Sequence, residues 1–262
     1  MKQTLRITPA DPAGNKTLLI EGDVPPERYA SLAAELLARP DCDAEQAGYI
    51  LPSGRLHMSG GEFCGNACRA YGLLLAQRQG LSAGDLMIEI SGASAPVRVS
   101  VDPETGIAFA DMPLPEALGV YLLPQPYGMR PIVEFEGIWH IIMASGAFSE
   151  ESFPEIRDAV YSRGRPEALG VMYLAKGHRS MVPMVYVDGP GTVYRESSCG
   201  SGTAAVAAWM ADCTGEDISL TMAQPGGTLT AKATLGEDGR LARIRIGGLV
   251  TLGETFDLEA EI

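Results

Sequence analysis

Two short stretches constrain this 262-residue chain more than anything else in it. The first is Gly60-Gly61-Glu62-Phe63-Cys64-Gly65-Asn66-Ala67-Cys68-Arg69-Ala70-Tyr71, and the second is Arg195-Glu196-Ser197-Ser198-Cys199-Gly200-Ser201-Gly202-Thr203-Ala204-Ala205. Each passes from a glutamate through a cysteine and a glycine turn into a sequence with helical spacing of small and apolar residues. They stand about half the chain apart. A fold that hosts both must enter two helices through Cys-Gly, one in each half, which suggests a duplicated plan of two similar domains.

The chemistry of that position is specific. A free thiol ionises near pH 8.5, so near neutrality it is a weak base unless its surroundings move it. The unpaired amides and the dipole of a helix N-terminus favour a thiolate, and the same amides accept a substrate carboxylate. Glycine after the cysteine lets a ligand approach the backbone. If both helices aim at one cleft, an amino acid held by its carboxylate has its Cα between two sulfurs. One thiolate then removes the Cα proton and the opposite thiol returns a proton to the other face, inverting the centre without a pyridoxal cofactor. The charge that develops on the carboxylate meets preorganised donors. A single Cys-Gly would read as a buried, inert thiol. A matched pair, each with an upstream glutamate and a downstream helix, reads as acid/base machinery. Cys42, Cys68 and Cys213 lack the glycine turn and read as ordinary thiols.

Around these stretches the pattern predicts strands at 4–7 and 17–20 joined by a turn with Asn15, and a helix with the stripe Leu32, Leu36 and Leu37 that ends near Pro40. A hairpin over 47–51 and 56–59 leads to the Cys64 turn, and a helix runs from Gly65 to about Gln79, where Gly80 stops it. Strands follow at 86–90, 97–101 and 107–112. The proline-rich Asp111-Met112-Pro113-Leu114-Pro115-Glu116 reads as a linker. The second half repeats the grammar: strands at 132–135 and 138–144, a helix at 154–161, strands at 171–175 and 181–187, the Cys199 turn, a helix at 201–211, and strands at 218–222, 229–235, 242–246 and 256–259.

Composition excludes several function classes. A formal net charge of −13 with no basic cluster argues against nucleic-acid and anionic-membrane partners. No apolar run reaches spanning length, and the opening residues lack the apolar core of a signal peptide, so a cytoplasmic location is expected. Hydrophobic residues at 46% and charged residues at 20% fit a globular protein with an ample core. Five cysteines are an odd number in a chain large enough to fold without staples, which argues against a disulfide framework. Cys64 and Cys68 are four apart and only three histidines accompany them, so no metal site is expected. Gly200-Ser201-Gly202 has no following lysine and no dinucleotide fingerprint occurs, so no cofactor is expected either.

Cys64-Gly65-Asn66-Ala67 and Cys199-Gly200-Ser201-Gly202-Thr203-Ala204 resemble the two catalytic-cysteine signatures of the diaminopimelate epimerase-like superfamily of cofactor-independent amino-acid racemases and epimerases. Gly14-Asn15, Glu45-Gln46 and Asp111-Met112 extend the resemblance in order along the chain. It implies an α+β fold of two similar domains, each a mostly antiparallel sheet wrapped around a central helix. Residues 1–115 would carry Cys64 and residues 116–262 Cys199, with the last strand free to return to the first domain. It also implies Cys64 and Cys199 as the acid/base pair, and backbone amides of Gly65, Asn66, Gly200 and Ser201 on the reacting carboxylate. Asn15 and Gln46 would line the site, Glu196 would hold the substrate ammonium, and the protein would be a homodimer acting on a small-molecule amino-acid substrate.

The departures narrow the substrate. Met58, Gly137-Ile138-Trp139-His140 and Ala168-Leu169-Gly170 stand where diaminopimelate epimerases carry groups for a second amino-acid head, and the segment before the second cysteine shrinks to Arg195-Glu196. A buried carboxylate and ammonium without partners would cost several kcal/mol, so a second amino-acid head fits poorly. The fuller stretch from Gly60 to Ala67 is most similar to the histidine racemases of the superfamily. Conversion of L-histidine to D-histidine is therefore the leading expectation, with diaminopimelate epimerisation and a non-catalytic thiol-redox role as alternatives. His140 reads either as a substrate side-chain contact or as a structural residue satisfying a local hydrogen bond.

Overall fold

Residues 2–144 and 148–262 are described by the computed structural model of the chain. Two compact units emerge, Met1–Asp111 with Gly247–Ile262, and Met112–Ile246.

In the first unit, β1 (Lys2–Asp11) and β2 (Thr17–Glu21) pair antiparallel, and α1 (Tyr29–Leu37) carries the chain to β3 (Gln46–Ile50), which lies parallel to β2. A parallel neighbour needs such a crossover, because a tight hairpin cannot reverse direction twice. β4 (Leu56–Met58) pairs antiparallel with β3 and delivers the chain to α2 (Gly65–Gln79). Then β5 (Gly84–Ile88), β6 (Val97–Asp102) and β7 (Ile107–Met112) form an antiparallel meander.

The second unit opens with β8 (Ala117–Leu122), β9 (Met129–Phe135) and β10 (Ile138–Ala144), crosses through α3 (Phe153–Tyr161) to β11 (Ala168–Leu174), and continues with β12 (Met181–Val187) and β13 (Thr192–Arg195). These strands form one sheet in the order β13-β12-β11-β10-β9-β8, parallel only between β10 and β11, where α3 makes the crossover. After α4 (Gly200–Thr214) come the antiparallel hairpin β14 (Ile218–Gln224) and β15 (Gly227–Leu235), and then β16 (Leu241–Leu249). β17 (Thr251–Leu252) and β18 (Phe256–Glu261) then pair antiparallel with β1, Leu258 opposite Leu5.

The period-2 alternation of strands explains where the cores lie. Leu5, Ile7, Leu18 and Ile20 face α1, packing with Tyr29, Leu32 and Leu36, whereas Leu19 falls on the opposite face with Leu56 and Met58 against α2. β2 is buried on both faces, which is why Thr17-Leu18-Leu19-Ile20 reads as an unbroken apolar run. α2 also covers Val97, Val99, Val101, Ala108 and Ala110, so most of its residues are buried, among them Arg69. In the second unit Ile141, Met143, Leu169, Val171 and Tyr173 face α3, packing on Phe153, Ile156 and Val160. The alternate residues His140, Ile142, Gly170 and Met172 lie on the other face. α4 contacts β9, β10 and β11 as well as β14 and β15.

The molecule is α+β with mostly antiparallel sheets. The expected strands and helices form with small shifts, as at β5, which starts at Gly84 rather than Leu86. β8 and β13 were not anticipated. Both are edge strands whose residues are largely exposed, so they lack the apolar alternation by which a half-buried strand is read. No helix among the described residues is long and apolar enough to cross a membrane.

Candidate active site

In each unit a cysteine is the N-cap of the unit's longest helix. Cys64 has extended backbone angles (φ −135°, ψ 107°) and its Sγ accepts the Ala67 N–H at 3.4 Å. Cys199 repeats this at the start of α4 (φ −108°, ψ 109°), its Sγ accepting the Gly202 N–H at 3.3 Å. Thiol sulfur thus occupies the place that serine or aspartate oxygen usually takes at a helix start. Both helices run 15 residues and close on a glycine in the left-handed conformation, Gly80 and Gly215.

The half-buried Cys64 lies in a polar pocket. Gln46, the first residue of β3, places Nε2 at 3.3 Å from Sγ, and Oε1 lies at 3.5 Å. The same Nε2 donates to Asn15 Oδ1 and Thr17 Oγ1, each at 2.8 Å. Asn66 Nδ2 donates to Asn15 Oδ1 at 3.2 Å, so the β1–β2 turn, the start of β3 and the first turn of α2 converge on one thiol. The loop that leads to Cys64 is pinned from outside. Ser91 Oγ accepts the Met58 N–H at 2.9 Å and donates to the Glu62 carbonyl at 3.0 Å. Gly92 (φ +68°) lies so close that a Cβ there would sit 2.2 Å from the Phe63 nitrogen. Only glycine tolerates both that approach and that φ.

Cys199 is buried, and its backbone is clamped. Gln224, at the end of β14, accepts the Cys199 N–H through Oε1 at 2.7 Å and donates from Nε2 to Thr203 Oγ1 at 2.9 Å. Thr203 in turn donates its hydroxyl to the Cys199 carbonyl at 2.6 Å. Ser201 Oγ lies 3.6 Å from the sulfur. Met172 of β11 packs beneath the first turn: a Cβ on Gly202 would sit 2.1 Å from its Sδ and 3.1 Å from Cys199 Sγ.

Both thiols are shifted upward from the ordinary value, opposite to the expectation for a helix start. Burial is the largest cause for Cys64; the Ala67 amide and Gln46 pull down against it, and the Glu62 charge adds to the rise. Cys199 is raised further, first by burial and then by the charge and hydrogen bond of Glu196, with Ser201 and the Gly202 amide opposing. The helix-start amides act in the expected direction, but desolvation outweighs them. Among the described residues, no group of three or more His, Cys, Asp or Glu side chains is gathered as for a metal ion.

The residues singled out in the sequence thus gather by unit. Asn15, Gln46, Gly65 and Asn66 assemble with Cys64, and Glu196, Gly200 and Ser201 with Cys199. Thr17, Arg69, Gln224 and Met172 were not singled out. Thr17 follows Asn15 by two residues and was within reach of a local reading. Gln224 and Met172 reach the site through the sheet, with no local signal. His140, considered as a substrate contact, is wholly buried in β10, with its ring against Gly170 and edge-on to Phe135. Neither of its ring nitrogens has a hydrogen-bond partner among the described residues.

A family model described as the histidine racemase CntK N-terminal domain matches residues 5–255 of the chain. A histidine racemase of Fusobacterium nucleatum subsp. nucleatum is 34% identical over 235 residues, covering 87% of this chain and 88% of that one. Among solved structures, the Bacillus anthracis phenazine biosynthesis protein of the PhzF family superposes with a TM-score of 0.69 at 14% identity, covering 99% of this chain and all of that one. A hydroxyproline epimerase from Agrobacterium vitis superposes at 0.66 and 11% identity, covering 98% and 91%. At those identities the two structures show a shared fold and nothing finer.

Proposed function

Because this chain belongs to the histidine racemase family, we propose that it interconverts L- and D-histidine without a cofactor, Cys64 and Cys199 serving as the two acid/base groups. The chain is an isomerase. The observation that carries the mechanism is the repeated N-cap: each Sγ sits in hydrogen-bond contact with the amide three residues on, Ala67 in one unit and Gly202 in the other.

In this reading one cysteine begins as thiolate and takes the Cα proton. The electron pair left on Cα delocalises into the substrate carboxylate, and the second cysteine, as thiol, delivers its proton to the opposite face. The first-turn amides of a helix have no intrahelical acceptor. Those of Gly65 and Asn66, and of Gly200 and Ser201, therefore take the carboxylate as its charge grows, where donors that need no reorganisation are most effective. Asn15 and Gln46 line the site and Glu196 holds the ammonium. The upward shift of both thiols suits the step, since a thiolate with raised proton affinity is better matched to a weakly acidic Cα–H. The two halves are read as similar domains of the diaminopimelate epimerase-like plan, supported by their equal helices with equivalent caps.

Incubation with single amino acids in deuterium oxide, under reductant, tests this directly. Deuterium should enter Cα of histidine, with the enantiomer appearing alongside. No exchange with any amino acid would defeat the racemase reading, and exchange of diaminopimelate but not histidine would defeat the substrate. Cys64→Ser and Cys199→Ser should each block racemisation in at least one direction.

A further inference from the structure

Arg69 is the largest of the wholly buried side chains, and among the described residues no carboxylate pairs with it. Its guanidinium donates instead to three oxygens, through Nε to the Ala108 carbonyl at 2.9 Å, Nη1 to Asn66 Oδ1 at 2.9 Å and Nη2 to the Leu249 carbonyl at 3.1 Å. Burying a cation on neutral acceptors alone is expensive, and a core position on a helix is more cheaply filled by leucine. The arrangement calls for a reason.

That reason lies in direction. A guanidinium only donates, so the atom of Asn66 facing it must be the amide oxygen, and Asn66 Nδ2 must face away. Nδ2 donates to Asn15 Oδ1, which also receives Gln46 Nε2. With Asn15 Oδ1 committed as acceptor, its Nδ2 points the other way, toward Glu45 Oε2 at 3.3 Å. Gln46 likewise has its amide nitrogen turned inward, between Asn15, Thr17 and the Cys64 sulfur. Every amide in the Cys64 pocket therefore has its sense set outward from Arg69. If any of them flipped, oxygen would face oxygen, or an amide nitrogen would face the guanidinium.

We propose that Arg69 is a positioning residue of the racemase site, a buried cation that holds Asn66, Asn15 and Gln46 in one hydrogen-bond polarity so that Gln46 brings its N–H, at 3.3 Å, nearer the Cys64 sulfur than its carbonyl, at 3.5 Å. An N–H there stabilises the thiolate and a carbonyl stabilises the thiol, so the polarity decides how readily Cys64 acts as base. The guanidinium adds fixed positive charge at the same end of α2, on the side where anionic sulfur and substrate carboxylate would develop. Burial lowers Arg69 only to about 10, so it stays charged at neutral pH. The other ionisable groups around this thiol are Glu62 in the preceding loop, Cys68 one turn along α2 and Glu45 beyond Asn15.

The proposal rests on the racemase reading for its meaning, but its test does not need the substrate. The rate of Cys64 alkylation by neutral iodoacetamide, resolved by peptide mass spectrometry, is followed against pH in the wild type, Arg69→Met and Arg69→Lys. Loss of the cation and of the amide polarity should move the Cys64 profile up by about one unit in Arg69→Met, about a tenfold slower reaction at neutral pH. Arg69→Lys, which keeps the charge but cannot bridge the three oxygens, should fall between. Racemisation should drop in both, chiefly in kcat. A folded Arg69→Met with the wild-type Cys64 profile overturns the proposal. Should Arg69→Met not fold, Arg69→Lys with wild-type alkylation and wild-type kcat overturns it equally. Failure of deuterium exchange in the wild type would remove the racemase reading and leave the alkylation result standing.

Discussion

Burial of His140 should make the protein acid-sensitive. Its ring is wholly buried against Gly170 and Phe135, with no charged group in contact among the described residues, and burial pushes its pKa from 6.5 down to about 3. The unfolded chain binds a proton at this histidine below its ordinary value, whereas the folded chain does not until near the lower one. Stability is therefore fully present above the unfolded value and is lost as pH falls through the window between the two. Each unit is worth about 1.4 kcal/mol, so the whole window amounts to roughly 5 kcal/mol, with about 2 kcal/mol already gone at a pH near 5. His140→Leu, close in volume and unable to titrate, removes this contribution along with two buried nitrogens that lack partners among the described residues. Urea unfolding of both proteins near pH 7.5 and near pH 5 isolates it, because every other titrating group cancels in the difference. The wild type should lose about 2 kcal/mol more than the variant between the two conditions. Equal losses would refute the argument, by showing that the imidazole is hydrated or paired in the native state.

Two further substitutions probe the Cys199 turn. Gly202→Ala would press a methyl group into Met172 and against the Cys199 sulfur. It should cost about 1–3 kcal/mol in thermal or chemical unfolding and lower kcat at least tenfold, and wild-type activity would show that the first turn of α4 has slack. Gln224→Leu leaves the buried Cys199 N–H without its acceptor and Thr203 without its donor. A stability loss of about 1–3 kcal/mol, with a larger fall in kcat than in KM, is expected; a purely structural loss with unchanged kcat would mean that the clamp does not position the thiol.

The site was legible in the sequence where its parts are local. A cysteine, a glycine and a helical stripe within a few residues specify an N-cap, since capping geometry is settled by the backbone of one turn, and both caps formed at Cys64 and Cys199. Asn15, Gln46 and Asn66 were reached through family resemblance; their contact with Cys64 depends on β2 lying parallel to β3, a pairing that no local pattern announces. Edge strands β8 and β13 escaped because exposure removes the alternation that marks a strand. The thiol shifts were misjudged in sign, because the amides that lower them are local and visible, while the burial that raises them belongs to the packed fold.

By itself, then, the sequence determined the order of the elements other than the edge strands, the two Cys-Gly helix starts and the small residues that let α2 and α4 be buried. These follow from interactions spanning a few residues, with periods of two or 3.6. Tertiary structure alone decided what surrounds each sulfur. It brought Gln224 across to the Cys199 amide, sealed His140 against Gly170, and closed the first unit by pairing Leu258 with Leu5. It also left Arg69 as a buried cation among carbonyls and amides. Charge burial and hydrogen-bond polarity are properties of a three-dimensional neighbourhood, and in this molecule they decide how a thiol that the sequence makes conspicuous can behave as an acid or a base.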